Sequence, residues 1–202
     1  MAEQTFDESQ WSTWLGRRAP NFLTILRILV VPVFVVLLID PTPVGNVWAC
    51  IIFVAASITD WLDGHLARIY NAESITGKLL DPLADKILVM SALVMLAAVP
   101  IDPRVPAWIV VVLLAREMVV TGLRSIAAAQ GIVVAATSWA KHKTAWTMIA
   151  IPFLLVHTPY EIGGVLIDFH ACGMTFLYVA LILSVGTGFH YGYLLRRIWT
   201  EE

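Results

Sequence analysis

Residues 45–63 read GNVWACIIFVAASITDWLD, and residues 64–86 continue GHLARIYNAESITGKLLDPLADK. The first run is apolar up to Asp60, and a helix needs about 20 mostly apolar residues to cross the hydrocarbon core of a bilayer. It reads as a membrane span that ends on two aspartates. Similar apolar stretches occur at roughly residues 21–39, 79–100, 105–127, 144–158 and 172–194. Pro41, Pro43, Pro100, Pro103, Pro106 and Pro159 fall in the gaps, where helix ends are expected. The fifth stretch is the shortest and contains Pro152. The expected fold is all-α, an integral membrane bundle of six transmembrane helices with a short amino-terminal interfacial helix. Residues 1–19 form that cytoplasmic or interfacial segment, in which Trp11, Trp14 and Leu15 share a helical face ahead of Arg17 and Arg18. Residues 20–202 form one membrane domain, with no repeat or linker to divide it.

Composition points the same way. Of 202 residues, 59% are hydrophobic and 14% charged, against roughly 45–50% and 25% in soluble domains. So apolar a chain could neither cover its core with polar surface nor remain disordered. A net charge of −2 argues against nucleic-acid binding. Cys50 and Cys172 lie over a hundred positions apart in or beside apolar stretches. They read as small apolar filler rather than a disulfide framework or metal knuckle. Residues 1–19 lack the apolar core of a signal peptide.

The positive charges set the orientation. The amino-terminal segment, the second and fourth gaps and the tail carry Arg17, Arg18, Arg68, Lys78, Arg124, Lys141, Lys143, Arg196 and Arg197. The opposite side carries Arg104 alone, while Arg27, Lys86 and Arg116 fall inside spans. Both termini are therefore expected in the cytoplasm, with the chain in the inner membrane.

Ionisable groups inside spans are expensive and point to function. Here they concentrate at the cytoplasmic ends of spans two and three. Asp60 and Asp63 stand at i, i+3, and Asp81 and Asp85 at i, i+4, so each pair projects from one helical face. If those faces meet, four carboxylates share one cavity and require compensating cations. An oxygen-only donor set favours Mg²⁺ or Mn²⁺ over zinc. Four aspartates can hold two such ions, an arrangement suited to phosphoryl chemistry. Gly64 and Ala67 continue the Asp60–Asp63 face with almost no side chain, leaving room for a neighbouring helix or a bulky ligand. Arg68 follows, able to fork onto a phosphate.

The string Asp60-x₂-Asp63-Gly64-x₂-Ala67-Arg68-x₈-Gly77-x₃-Asp81-x₃-Asp85 is similar, at every fixed position, to the defining motif of the CDP-alcohol phosphatidyltransferases. These are six-helix membrane enzymes that displace CMP from a CDP-linked lipid with the hydroxyl of a second alcohol, using divalent metal. The resemblance implies that Asp60, Asp63, Asp81 and Asp85 bind the metals. It further implies that Asp85 takes the proton of the attacking hydroxyl, that Gly64 and Arg68 contact the CDP moiety beside Ala67, and that the enzyme is a homodimer. Ser74, Asn21 and Thr24 are further CDP-lipid contact candidates, although Asn21 and Thr24 could equally cap the first helix.

The flanks resemble the branch of the family that transfers the phosphatidyl group from CDP-diacylglycerol to sn-glycerol 3-phosphate. They are Pro20-Asn21-Phe22-Leu23-Thr24-Ile25-Leu26-Arg27, Asp81-Pro82-Leu83-Ala84-Asp85-Lys86, Arg116-Glu117 followed by Arg124, and Ser138-Trp139-x-Lys141-x-Lys143-Thr144. That acceptor is a dianion and needs cations, which Arg116, Arg124 and Lys141, with Lys143, are placed to supply. Glu117 reads as an arginine's partner rather than a catalytic group. Positive residues also belong on this side for topology alone. Alternative readings are an inositol-phosphate acceptor, a phosphatidylglycerol acceptor and, from a different class, a divalent-cation transporter. A transporter would need polar groups continuing to the far side, where the spans are almost purely apolar. The histidines, His65, His142, His157, His170 and His190, form no ligand pattern in the sequence, and most of the tryptophans sit near span ends as interfacial anchors.

Overall fold

Each apolar stretch yields a helix. In the computed structural model these are α1 (Ile28–Ile39), α2 (Pro43–Tyr70), α3 (Ile75–Ala98), α4 (Ala107–Ala129), α5 (Ser138–Val156) and α6 (Phe169–Thr200). The structure describes residues 28–70, 75–100, 102–131 and 138–200; the side chains of residues 61–70, 75–83, 85, 138, 140, 141, 162, 194, 195 and 197–200 lie outside the description. The expected interfacial helix over 1–19, and the candidates Asn21, Thr24 and Ser74, also lie outside the described residues.

Local chemistry sets several helix ends. Thr42 caps α2, its Oγ1 accepting from the Gly45 amide at 3.0 Å and its carbonyl from Asn46 at 2.8 Å. Pro43 then occupies the first helical position, where its missing N–H costs nothing. Asp168 does the same for α6, with Oδ1 accepting from the Ala171 amide at 3.0 Å. α4 stops at Gln130, and Gly131 follows with a φ of 79°, the left-handed turn that commonly closes a helix. α5 runs through Pro152 without a break.

The core draws on all six helices. Phe34 and Leu38 of α1 meet Phe53 of α2, Leu88, Ala92 and Leu96 of α3, Ile109 and Leu113 of α4, Ile151 and Leu154 of α5, and Leu177 and Leu181 of α6. Their spacings of three and four residues put one stripe of each helix inward. The outward faces are apolar as well: Val36, Val44, Trp108, Val111, Met118, Ile182 and Phe189 are all exposed. A water-soluble protein rarely shows apolar surface on that scale. Within α2 and α6, the stretches Pro43–Asp60 and Phe169–Tyr193 are long and apolar enough to cross a bilayer. The chain reads as a membrane protein.

Two helices outrun their apolar stretches, and one connection holds strands that the expected all-α layout lacked. Helix α2 runs on through the motif to Tyr70, and α6 extends from Phe169 to Thr200, past both ends of its apolar stretch. The gap after the fifth stretch holds a two-stranded antiparallel hairpin, β1 (Tyr160–Ile162) and β2 (Val165–Ile167). Gly163 and Gly164 form its turn at φ 62° and 82°, the positive pair a tight hairpin requires.

Candidate functional site

Helix α2 measures about 42 Å at 1.5 Å per residue against a hydrocarbon core of about 30 Å. Its apolar window ends at Asp60, so Asp60 to Arg68 occupy the helical extension beyond that window. The next helix, α3, packs on α2 and carries Asp81 and Asp85 in its first half. All four motif aspartates therefore lie on two consecutive helices at the same end of the bundle. The side chains of Asp63, Asp81 and Asp85, like those of Gly64, Ala67 and Arg68, are outside the described residues, so the meeting of the carboxylates is not described. Among the described residues, no three His, Cys, Asp or Glu side chains gather as a metal cluster.

One turn deeper, a charged network is fully described. Glu117 of α4 is its hub. Its Oε2 accepts from Lys143 Nζ of α5 at 2.5 Å and from Arg116 at 3.1 Å, and its Oε1 lies 3.7 Å from Lys86 Nζ of α3. Lys86 also donates to Thr121 Oγ1 at 2.7 Å. Arg116 reaches across to α6, donating from Nε to the Ser184 carbonyl at 2.9 Å and from the other terminal nitrogen to Thr187 Oγ1 at 2.6 Å. The side chains of Arg116, Lys143 and Glu117 are 10%, 13% and 24% exposed. Arg116 crosses close to Gly188, where a Cβ would stand 3.2 Å from Arg116 Cγ. Burying a lone carboxylate in such surroundings costs several kcal/mol, which ion pairs and hydrogen bonds offset. Three cations face this one.

The network borders a cavity of about 90 Å³ whose polar lining is Lys86, Glu117, Lys143, Thr144, Thr147 and Ser184. Lys86 follows Asp85 directly in the chain, on the same helix. Lys86 and Lys143 outnumber Glu117 by one positive charge in the lining, which suits an anionic guest.

Of the residues expected to bind the acceptor, Arg116 is committed to α6 and Glu117, while Arg124 is exposed two turns further along α4. Lys141 lies in the first turn of α5, with its side chain outside the described residues. Glu117 does pair with an arginine, as read from the sequence, and with two lysines besides. The sequence reading assigned the sixth helix no site residue. Its Ser184-x-x-Thr187-Gly188 string, polar and small at helical spacing inside an apolar run, was the available signal for its part in the site.

Known proteins place this geometry in context. Residues 17–186 match the family model described as CDP-alcohol phosphatidyltransferase. A relative from Bacillus subtilis (strain 168), named CDP-diacylglycerol–glycerol-3-phosphate 3-phosphatidyltransferase, is 39% identical over 185 residues, covering 85% of this chain and 92% of its own. Relatives of the same name from Rickettsia bellii and Pseudomonas fluorescens are 36% and 35% identical, each covering nearly nine-tenths of this chain.

Proposed function

The chain belongs to the CDP-alcohol phosphatidyltransferase family, and on that premise we propose that it transfers the phosphatidyl group of CDP-diacylglycerol to sn-glycerol 3-phosphate, giving phosphatidylglycerophosphate and CMP. The observation that carries the choice of acceptor is the charge of the cavity. Lys86 and Lys143 outnumber Glu117 by one charge in its lining, and Arg116 pairs with Glu117 from behind it, which favours a phosphorylated acceptor over a diacylated one. The printed names of the relatives support the same choice.

In the proposed reaction, the acceptor hydroxyl forms a bond to the phosphatidyl phosphorus as the pyrophosphate link to CMP breaks. Asp85 accepts the hydroxyl proton. Gly64, Ala67 and Arg68 face the CDP moiety, joined by Asn21, Thr24 and Ser74. Lys141 and Arg124 attract the acceptor phosphate, with Arg116 bracing the cavity wall. Asp60, Asp63, Asp81 and Asp85 form a carboxylate-only donor set that suits two Mg²⁺ or Mn²⁺ ions. Such ions, when bound, neutralise the pyrophosphate and stabilise departing CMP. The same proposal includes six spans, both termini and the aspartates on the cytoplasmic side of the inner membrane, and a homodimer.

The purified chain in proteoliposomes containing CDP-diacylglycerol tests the reading. CMP release is expected with glycerol 3-phosphate, accompanied by phosphatidylglycerophosphate. Turnover only with inositol phosphate or with phosphatidylglycerol would overturn the acceptor. Absence of CMP release with all three would overturn the transfer itself.

A further inference from the structure

The hairpin between α5 and α6 carries exposed apolar side chains far from the motif aspartates. Tyr160, Val165 and Leu166 are exposed, Val165 by 63%, and Ile167 is half-buried. Glu161 is the one charged residue in Tyr160–Ile167. A two-stranded hairpin is at best marginally stable in water by itself, and this one has only three residue pairs. It needs a support.

The register shows which face could find one. Strand alternation, with Tyr160 opposite Ile167, puts Tyr160, Val165 and Ile167 on one face and Glu161 with its partner Leu166 on the other. Tyr160 meets Phe169 edge-on, with ring centroids 6.0 Å apart. Phe169 then contacts Phe153 at 5.6 Å, Phe153 contacts Phe176 at 5.3 Å, and Phe176 stacks on Trp146 at 5.6 Å. Tyr160 is the last ring of a column that descends between α5 and α6, and Phe169 is the first residue of the apolar window of α6. The face bearing Tyr160 and Val165 is therefore turned toward the hydrocarbon, and Glu161 away from it.

Two tryptophans mark the same level. One cavity is lined by Asn46 of α2, Val105 before α4, Leu155 of α5 and His170 of α6, so the start of α2, the start of α4 and the hairpin lie at one end of the bundle. At that end Trp48 and Trp108 are exposed, as aromatic residues are at the headgroup level of a membrane. The hairpin has little reach from there. Three residues join Val156 of α5 to Tyr160, and Asp168 alone joins Ile167 to α6. Its unpaired strand edges cannot enter hydrocarbon, where backbone groups must all be satisfied. Only a shallow position buries the side chains and leaves the backbone hydrated.

We propose that the hairpin is an interfacial anchor, lying along the bilayer surface with Tyr160, Val165 and Ile167 against lipid at the headgroup–acyl boundary and Glu161 toward water. The partner is the lipid of the membrane that holds the chain. The hairpin face continues the apolar exterior of the bundle, and three side chains fall well short of the roughly 800 Å² per partner buried in a specific protein interface. The anchor pins the end of α5 and the start of α6 to one depth. It rests on the chain being a membrane protein and is independent of the transfer reaction.

The full chain, with Cys50 and Cys172 replaced by Ala, receives a single cysteine as Val165→Cys or, in a second protein, as Glu161→Cys. Both sites are exposed, so neither change disturbs the core. Each is labelled with an environment-sensitive nitrobenzoxadiazole fluorophore and reconstituted into phosphatidylcholine vesicles. At position 165 the emission should lie to the blue of that at 161. A lipid with its nitroxide near the headgroup should quench it more than one with its nitroxide deep in the acyl chain. Iodide, introduced on both sides by freeze–thaw, should quench position 161 several times more than position 165. Water-like emission and full iodide quenching at 165 would overturn the anchor and leave the hairpin in water. Protection from iodide without quenching by either nitroxide lipid would overturn it in favour of a protein cover, and equal protection at 161 and 165 would overturn the assigned face.

Discussion

Glu117 shows how a single side chain decides the state of its neighbours. Replacing it by Gln keeps its shape but leaves Lys143 and Arg116, both nearly buried, without an anion. Removing one partner of a buried pair costs about 3–5 kcal/mol, and the partial exposure of Glu117 puts the loss at the lower end of that range. Lys86 is one-third exposed and 3.7 Å away, so Lys86→Gln should cost below about 1 kcal/mol, as exposed pairs do. Denaturant unfolding in detergent compares the two variants directly, and equal losses would contradict the ranking. At the motif the expectation concerns turnover. If four carboxylates share divalent ions, Asp60→Asn, Asp63→Asn, Asp81→Asn and Asp85→Asn should each abolish CMP release, and EDTA should do so reversibly. Substantial activity in any two of them would contradict a shared site. The placement of the aspartates in pairs on α2 and α3 was legible from the sequence because i, i+3 and i, i+4 spacings are local. The partners of Arg116 were not, because Ser184 and Thr187 stand 68 and 71 positions away and no periodicity reports which helix a guanidinium will reach.

The same contrast holds for the elements. Apolar runs located every helix, since burial in lipid demands apolar side chains and an intact backbone hydrogen-bond ladder. They did not give the ends of α2 and α6, because hydropathy measures how much of a helix lies in hydrocarbon, not where its backbone stops. The hairpin was legible in principle from Tyr160-Glu161-Ile162-Gly163-Gly164-Val165-Leu166-Ile167, two strand-forming triplets around a Gly-Gly turn. How tightly two helices approach is set by particular small residues. A Cβ on Gly173 would stand 2.7 Å from Leu154 Cγ and 3.0 Å from the Leu154 amide nitrogen, so α6 lies against the backbone of α5. Gly173→Ala should force the helices apart and lower stability by about 1–3 kcal/mol, the usual cost of overpacking. Gly186, on the same helix, has nothing within 4 Å of its would-be Cβ, and Gly186→Ala should be neutral or slightly stabilising. Unfolding midpoints in detergent separate the two, and a neutral Gly173→Ala would show that the contact yields.

For the whole molecule the question is which end faces the cytoplasm. α2 and α6 are about 42 and 48 Å long at 1.5 Å per residue, so both project beyond a hydrocarbon core of about 30 Å. α2 projects where the aspartates begin, and the proposed transfer chemistry would then lie at a membrane surface. An unbroken α5 leads from that end to the hairpin at the other. Nine Lys and Arg in the connections and tails assigned to the aspartate side against Arg104 alone on the other predict that the aspartates lie inside. Cysteine labelling reads this directly. After Cys50 and Cys172 are replaced by Ala, a single cysteine at exposed Glu161 on the hairpin and another at exposed Gln130 at the end of α4 lie on opposite sides of the bundle. A membrane-impermeant maleimide added to spheroplasts should label Glu161→Cys and reach Gln130→Cys only after lysis. The reverse pattern would place the aspartates outside, away from a cytoplasmic pool of glycerol 3-phosphate. Labelling of both positions in intact spheroplasts would mean that α5 does not cross the bilayer, and the six-span arrangement would fail with it.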